Sequence, residues 1–518
     1  MTTEMDEDMA AIEAAKEFER QIGVTSINSV RVQVGNREFL KFLVGKDAPL
    51  YKYALLECQK NLSEDNPFRG ALGLTLTKAT SFPSSIEASA LITLLTRSTR
   101  EVSENRASSG YVVPYVPFQK REDHHLAQPA SQIVRGRRGV GKSTLIRRAV
   151  ELLSGTKALV AVLDMQAYSL LTGEELIREV MYDACNALAL SGKEVARRFG
   201  IELCFDELES LANGIVSGKE QLARAPVAIK RTLSSLTKAT NDNAFIFLDD
   251  LHLIDFDSQP LLLHYLHAAL KGANGWIKVA GLTSLLNVYS PTTRHGLQIP
   301  GDAQYISLDL TLENPEAAET HLRAVLEGFL NAVGYRLSGA VIPDGAFRRL
   351  AWANAGVPRD FLQMFARSLE HSSRNRRAAI TLSDVNVAIG EFGQQKLDEL
   401  QRDARNKVGV LRDMLASLEK LCLEDNRVNA FLVRSEDSNE RTLVQILSDL
   451  RMVHLIHQSI TPDKAGERYE AFILDYSLFT GFRRRPNITE MIPTELQFKA
   501  SELRALPKVS AGFCDSSG

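Results

Sequence analysis

Apolar and polar positions follow two different patterns along the chain, and the change between them marks the predicted domains. Between about residues 112 and 312, short apolar runs alternate with segments of helical periodicity. Strand–helix alternation of this kind predicts an α/β fold with a mostly parallel sheet. The predicted strands cover residues 133–134, 158–163, 244–248, 276–282 and 305–310, and helices are predicted over residues 143–153 and 261–270.

The flanking regions have different patterns. Residues 1–19 predict an exposed helix, and the region up to residue 110 mixes strand and helix signals in an α+β pattern. Beyond residue 312 the periodicity is helical, with a long helix predicted over residues 395–422. A strand, a helix and paired strands over residues 430–476 predict a small winged-helix module. The expected domains are an N-terminal region (1–110, ending in a polar linker from residue 98), a nucleotide-binding core (111–312), a helical lid (313–394), a helix plus winged-helix-like domain (395–490) and a tail (491–518).

Composition restricts the class of protein. The chain has 518 residues and a net charge of -3, which excludes a uniformly basic nucleic-acid coat. No apolar run is long enough for a membrane span, and the acidic N-terminus does not resemble a secretion signal, so a cytoplasmic protein without membrane contact is expected. Five cysteines without paired spacing agree with a reducing compartment. They are Cys58, Cys185, Cys204, Cys422 and Cys514.

A phosphate-binding loop is predicted where the first core strand ends. Residues 136–143 have the pattern G-x-x-x-x-G-K-S between a predicted strand and a predicted helix. Glycines let backbone N–H groups turn toward a phosphate, and the following helix directs its positive end at it. Lys142 is expected to bridge the β- and γ-phosphates, and Ser143 to ligate Mg²⁺. The expected nucleotide-binding residues are Gly136, Arg138, Gly139, Val140, Gly141, Lys142, Ser143 and Thr144.

A pair of acidic residues follows the predicted strand at residues 244–248. Asp249 ends a fully apolar run, so its carboxylate must face a cleft or a cation. We expect Asp249 to hold the Mg²⁺ through water. Asp250 is expected to polarise the attacking water, or alternatively to cap the following helix.

Together these motifs resemble AAA+ ATPases, especially the branch of origin-recognition and archaeal-type replication initiators and the related STAND signalling ATPases. The resemblance covers roughly residues 112–480 and implies ATP with Mg²⁺ as cofactors and a homo-oligomer. It implies that Thr283, or Ser284 beside it, senses the γ-phosphate. It also implies that Arg294 is an arginine finger acting on a neighbouring subunit, although a solvated arginine fits equally well.

Further implications of the resemblance concern the edges of the core. The segment around Pro358 is similar to the sensor-2 motif, in which Arg359 would reach from the lid to the phosphates; the alternative is a surface pair with Asp360. Residues 115–118, with residues 121–123, resemble the segment that packs against adenine. ATP·Mg²⁺ would then join core and lid through Lys142, Asp249 and Arg359, and hydrolysis would relax that arrangement.

Two functions remain open from the sequence. The first is an ATPase that assembles on double-stranded DNA, with phosphate contacts from the C-terminal domain near Arg441, Arg451 and the basic cluster at residues 482–485. The second is a STAND-like regulatory or defence ATPase that controls a partner protein through its N-terminal region. The predicted winged helix serves DNA or protein contacts equally well, because acidic and apolar residues accompany its arginines.

Overall fold

The computed structural model describes residues 2–78, 81–100, 111–310, 312–403, 408–436, 438–461, 467–480, 488–490 and 500–509. Most of the predicted linker, the basic cluster at residues 482–485 and most of the predicted tail lie outside these ranges. The chain forms two compact units. Unit 1 contains Met1–Val116, Leu310–Val444 and Leu450–Gly518, and unit 2 contains Pro117–Asp309 and Gln445–Asp449. Among the described helices, none is long and apolar enough to cross a membrane.

The N-terminal part of unit 1 is a small α+β layer. Strand β1 pairs antiparallel with β2, and β2 pairs parallel with β3. Helix α1 was predicted to be exposed, but one of its faces is buried because Phe18 stacks on Phe42 of β2, with ring centroids 4.2 Å apart. The elements are α1 (Thr2–Ile22), β1 (Ser29–Val34), β2 (Arg37–Val44), α2 (Pro49–Asn61), β3 (Leu72–Leu76) and α3 (Ile86–Arg100).

Unit 2 contains the parallel sheet that the alternation predicts, so the α/β expectation is confirmed. Its elements are α4 (Glu122–Leu126), β4 (Gln132–Arg135), α5 (Lys142–Leu153), β5 (Leu159–Asp164), α6 (Gly173–Phe199), α7 (Asp206–Val216), α8 (Ala225–Thr240), β6 (Ala244–Asp249), α9 (Ser258–Leu270), β7 (Gly275–Gly281), β8 (Tyr289–Ser290), β9 (His295–Gly296) and β10 (Gln304–Ser307). The five-stranded sheet has the order β10-β4-β7-β6-β5, with every pair parallel.

The position of β6 inside this sheet explains its sequence. A strand with neighbours on both sides and helices on both faces has no solvent-facing positions, so its side chains are apolar without alternation. Residues 244–248 are all buried, whereas Asp249, at the end of the strand, is only partly buried. The carboxyl ends of β4, β6 and β7 lie at one edge of the sheet because the strands are parallel. This edge carries the candidate site.

A bundle of four helices follows in unit 1. They are α10 (Pro315–Ala332), α11 (Asp344–Ala353), α12 (Pro358–Arg374) and α13 (Leu382–Asp403). Asn314 caps α10 by accepting the Ala317 N–H at 3.1 Å, as its sequence signature indicates. The predicted helix over residues 395–422 is wrong in its bounds. Asp384 accepts the Thr381 N–H at 2.9 Å, and this capping contact lets α13 begin at Leu382.

The C-terminal part of unit 1 has the predicted combination of helices and paired strands. Its elements are α14 (Val408–Glu419), β11 (Ala430–Arg434), α15 (Asn439–Asp449), β12 (Val453–Ile460), β13 (Tyr469–Leu474) and α16 (Ala500–Arg504). The strands form an antiparallel sheet in the order β11-β13-β12. Helix α15 connects the first two strands in sequence, and its last five residues belong to unit 2.

Unit 1 also encloses a cluster of buried charges. The Asp475 carboxylate accepts hydrogen bonds from Lys396 Nζ at 2.5 Å and from His454 Nε2 at 2.7 Å. Arg451 pairs with Asp360, whose second carboxylate oxygen lies 3.7 Å from Lys396 Nζ. None of these side chains is more than 1% exposed. The cluster joins the first turn of α12 and the middle of α13 to the C-terminal sheet.

Candidate phosphate-binding site

The loop between β4 and α5 has the backbone that its glycines predict. Gly139 and Gly141 have φ angles of 79° and 105°, in the left-handed region where other residues are strained. Helix α5 begins at Lys142, so its positive end faces the loop. The side chain of Val140 is buried, whereas Thr144 is exposed on the first turn of α5. The loop is therefore shaped as an anion cradle.

Lys142 is buried at the centre of this cradle. Its Nζ donates to the carbonyl oxygens of Gly136 at 2.9 Å and Arg137 at 3.1 Å. Burial lowers the pKa of Lys142, and four nearby carboxylates oppose that shift. They belong to Asp250, Asp309, Asp249 and Asp449. Both of these hydrogen bonds are to neutral carbonyl oxygens, so neither of them pairs the ammonium group with a carboxylate.

Ser143 and Asp249 meet directly beneath the loop. The Ser143 side chain hydrogen-bonds the Asp249 carboxylate at the end of β6. Burial raises the pKa of Asp249 to about 6, the adjacent Asp250 adds to the rise, and the bond from Ser143 and the charge of Lys142 oppose it. A nearby cation would stabilise the charged form of a carboxylate that is buried in this way. The two residues expected to hold a metal are brought together.

Asp250 follows in a left-handed conformation, with a φ of 54°. It occupies the cap position of a short helical turn over Leu251–Leu253, but its side chain makes no capping hydrogen bond. The carboxylate is 37% exposed, and its Oδ1 lies 3.8 Å from His252 Nδ1. Backbone strain of this kind is common at functional sites. The observed geometry gives no support to the capping alternative.

Asp309 is a site residue that was missed in the sequence. Its Oδ1 accepts the backbone N–H of Arg137 at 2.9 Å and the side-chain Nε at 3.1 Å, so it fixes the start of the phosphate loop. The predicted strand over residues 305–310 placed Asp309 inside a strand, whereas β10 ends at Ser307 and leaves Asp309 two residues beyond it. Because β10 and β6 belong to one parallel sheet, polar residues that follow them lie at the same edge, which brings Asp309 to the phosphate loop.

A second missed residue, Asp449, comes from the end of α15. Its Oδ2 accepts the Ser284 N–H at 2.7 Å and the Ser284 hydroxyl at 2.6 Å, and its backbone oxygen accepts the Arg138 N–H at 3.2 Å. Thr283, the first candidate for a γ-phosphate sensor, is exposed. The structure therefore brings Ser284, the alternative, into a bonded network with the phosphate loop.

The two candidate arginines belong to different units. Arg294 is exposed at the hairpin between β8 and β9, where its backbone is left-handed with a φ of 57°. Arg359 belongs to unit 1, in the first turn of α12, and its Nε lies 3.9 Å from Asp360 Oδ1. Because Asp360 is fully buried, the alternative of an Arg–Asp surface pair is wrong.

On the adenine side, Phe118 lies beside the loop. A Cβ built on Gly141 would lie 3.7 Å from Phe118 Cζ. The ring is 7% exposed, and Asp123 in the same segment is 1% exposed. An apolar ring next to the cradle suits a flat base, so this segment stays a predicted contact.

Two of the predicted DNA-contacting arginines, Arg441 and Arg451, form ion pairs. Arg451 is 1% exposed and pairs with Asp360, so its predicted contact with a DNA phosphate is wrong for this conformation. Arg441 donates to Glu470 at 2.8 Å. Helix α15 itself is largely covered, because only Asn439 and Thr442 among its eleven residues are exposed.

Comparisons with known proteins found one family model and several solved structures similar to this chain. Residues 122–274 match the family described as an AAA ATPase domain. Among curated protein sequences, none matches the chain. Solved structures similar to it include the Aeropyrum pernix ORC1 protein in complex with DNA, at 16% identity and a TM-score of 0.36, covering 70% of this chain and 91% of that one.

Two further structures have comparable similarity. Drosophila ORC bound to DNA has 12% identity and a TM-score of 0.36, covering 77% of this chain and 93% of that one. CDC6P from Pyrobaculum aerophilum has 14% identity and a TM-score of 0.32, covering 71% and 93% respectively.

Proposed function

We propose that this chain, whose residues 122–274 are an AAA ATPase domain, is an ATP-driven switch that oligomerises and acts on DNA or on a DNA-bound complex. The observation that carries the proposal is the buried ammonium of Lys142, held on the Gly136 and Arg137 carbonyls at the start of α5, with the Ser143 hydroxyl and the Asp249 carboxylate beside it. A cradle of N–H groups, a cation and a paired hydroxyl and carboxylate are the parts that bind a nucleoside triphosphate with its metal.

The residues present fit Mg²⁺. The hydroxyl of Ser143 and the carboxylate of Asp249 are hard oxygen ligands, which Mg²⁺ prefers. Four carboxylates lie near Lys142, and a divalent cation would offset their repulsion of a triphosphate. When bound, Mg²⁺ would neutralise phosphate charge. Ser143 and Asp249 would hold it, and Lys142 would turn from the Gly136 and Arg137 carbonyls toward the phosphates.

Hydrolysis is assigned to two further residues. Asp250, half-buried next to the metal-binding carboxylate, would orient the attacking water and accept its proton. Arg294, exposed at a hairpin tip, would stabilise charge on the phosphate bound to a neighbouring subunit. The role of Arg359 as a sensor in the lid stays a prediction from the sequence.

Subunit mixing tests the proposed assembly. Arg294→Ala and Asp250→Asn are each expected to reduce ATP hydrolysis, the former on the order of 10³-fold. An equimolar mixture should regain activity, because an Asp250→Asn subunit supplies its arginine to the intact site of an Arg294→Ala subunit. Hydrolysis is measured as phosphate release, and native mass should show a rise in subunit number with ATP and Mg²⁺.

Arg231→Ala, an exposed arginine on α8, is the matched control and should hydrolyse ATP like the wild type. Failure of the mixture to exceed the sum of its components, or a subunit number that ATP does not change, would contradict the assembly model.

A second function is favoured by the position of the N-terminal region, which belongs to the same compact unit as the lid helices. Phe82 packs on Tyr335 of this bundle, with ring centroids 4.6 Å apart. A partner protein bound to the N-terminal sheet would then act directly on the lid. This is the arrangement of a regulatory ATPase that controls a partner.

Salt dependence separates the two functions. A DNA-acting protein should bind duplex DNA in the presence of ATP. The logarithm of its association constant should fall linearly with the logarithm of the salt concentration, with a slope of about -0.9 for each phosphate contacted. The measurement is fluorescence anisotropy of a labelled duplex between about 50 and 200 mM salt. Absence of binding at the lowest salt, with and without ATP, would reject the DNA function and favour the regulatory one.

A further inference from the structure

Asp449 joins the last turn of α15 to the phosphate-binding site, although it is far from that site in sequence. Within unit 2 its carboxylate accepts two hydrogen bonds from Ser284, and its backbone oxygen accepts one from Arg138 in the phosphate loop. Ser284 comes just after the end of β7, at the sheet edge that carries the candidate site. The end of α15 is thus hydrogen-bonded to Ser284 and to the phosphate loop at Arg138.

The position is electrostatically unfavourable for a carboxylate. The C-terminal end of a helix carries partial negative charge and disfavours an acid. Asp449 is 6% exposed, and Asp309 is a second carboxylate in its field. Its two hydrogen bonds from Ser284 and the charge of Lys142 compensate for this placement. A contact that depends on so few compensating groups is open to competition by another anion.

A γ-phosphate is such an anion, and it would approach the same groups. It would bring negative charge to Lys142, which already lies in the field of Asp449. It would also compete for the Ser284 hydroxyl, because that hydroxyl has one proton to donate. Two anions sharing one donor and one ammonium repel each other, so binding of one disfavours the contact of the other.

We infer that Asp449 is a latch that holds α15 on the phosphate-binding site and that the γ-phosphate of ATP displaces it. The inference rests on the proposed function, since it assigns the nucleotide to this site. In the latched form α15 exposes only Asn439 and Thr442 among its eleven residues. Release of Asp449 frees the end of α15 from Ser284 and from the phosphate loop when ATP is bound.

The Asp449→Asn variant tests the latch, because asparagine keeps the shape of the side chain and removes its charge. The matched control is Asp257→Asn, which neutralises an exposed carboxylate of unit 2. Without nucleotide, hydrogen exchange of the α15 amides should be about 10-fold or more faster in Asp449→Asn than in wild type, since bonds to a charged acceptor are replaced by bonds to a neutral one. Asp257→Asn should match the wild type.

Nucleotide binding provides the second measurement, made by calorimetry with Mg²⁺. Asp449→Asn should bind ATP about 10-fold more tightly, with a smaller change for ADP, because only ATP brings a γ-phosphate. Unchanged exchange in α15 together with an unchanged ATP-to-ADP affinity ratio would overturn the latch. A wild type that binds neither nucleotide would instead reject the proposed function, and the exchange measurement without nucleotide would still decide the contact of Asp449.

Discussion

Replacing Lys142 by alanine is expected to weaken ATP binding by at least about 100-fold and to abolish hydrolysis. In the ATP complex Lys142 would pair with the phosphates, and removing one partner of a buried, hydrogen-bonded charge pair costs about 2–5 kcal/mol. The four carboxylates near Lys142 increase the loss, since they would then repel the triphosphate without compensation. Isothermal titration with ATP and Mg²⁺ measures the affinity.

Lys219→Ala is the control for that substitution, because Lys219 is an exposed lysine of the same unit. It should bind ATP like the wild type. Thermal unfolding of both variants without nucleotide tests whether the fold is retained. A Lys142→Ala protein that is folded and binds ATP with wild-type affinity would place the nucleotide elsewhere and refute the proposed site.

The second large effect is expected from Lys396→Met in the buried charge cluster of unit 1. Burial alone would raise the pKa of Asp475, but Lys396 and His454 outweigh it and hold the pKa well below its usual range. Methionine leaves this fully buried carboxylate without its ammonium partner. The expected loss is about 3–5 kcal/mol in the free energy of unfolding of unit 1.

The pH dependence of this stability follows from the direction of the shift. The pKa of Asp475 is lower in the folded chain than in the unfolded one, so its contribution is fully present above an unfolded pKa of about 4. It is lost as the pH falls from there toward the folded pKa. The difference in urea stability between wild type and Lys396→Met should therefore shrink below about pH 4.

The double variant Lys396→Met with Asp475→Asn separates the contribution of charge pairing to stability from the contribution of side-chain packing. It removes both charges, so it should be more stable than Lys396→Met alone. Lys16→Met, on the exposed side of α1, should leave the unfolding curve unchanged. Equal stability of Lys396→Met and wild type at neutral pH would show that the pair contributes nothing.

The sequence was sufficient to predict the sheet and the centre of the site. Apolar runs predicted β6 and β7 to within a residue or two. The two motifs predicted that Ser143 and Asp249 hold the same Mg²⁺, which requires the two side chains to lie close together. The AAA ATPase match over residues 122–274 confirms the family that the loop motif indicates. These predictions succeeded because local pattern and topology both constrain them.

The other site residues and the helix bounds depend on contacts that no local sequence pattern specifies. Asp449 ends an ordinary amphipathic helix, and only the fold brings it to Ser284. The burial of Arg451 was also unpredictable, since its partner Asp360 lies 91 positions away in the chain. Helix bounds failed where side-chain capping decided them, as at Thr381 and Asp384.

The packing of the N-terminal layer has a consequence for dissecting the protein. Glu87 of α3 accepts the N–H groups of Gly45 and Lys46, and the ammonium of Lys46 lies 5.3 Å from the ring centroid of Tyr335 in the lid bundle. The N-terminal residues thus complete the hydrophobic core of unit 1. A fragment that begins just before the phosphate loop would remove these contacts and uncover the side chains of Phe82's partner Tyr335 and its neighbours, so the lid helices should be studied together with the N-terminal layer.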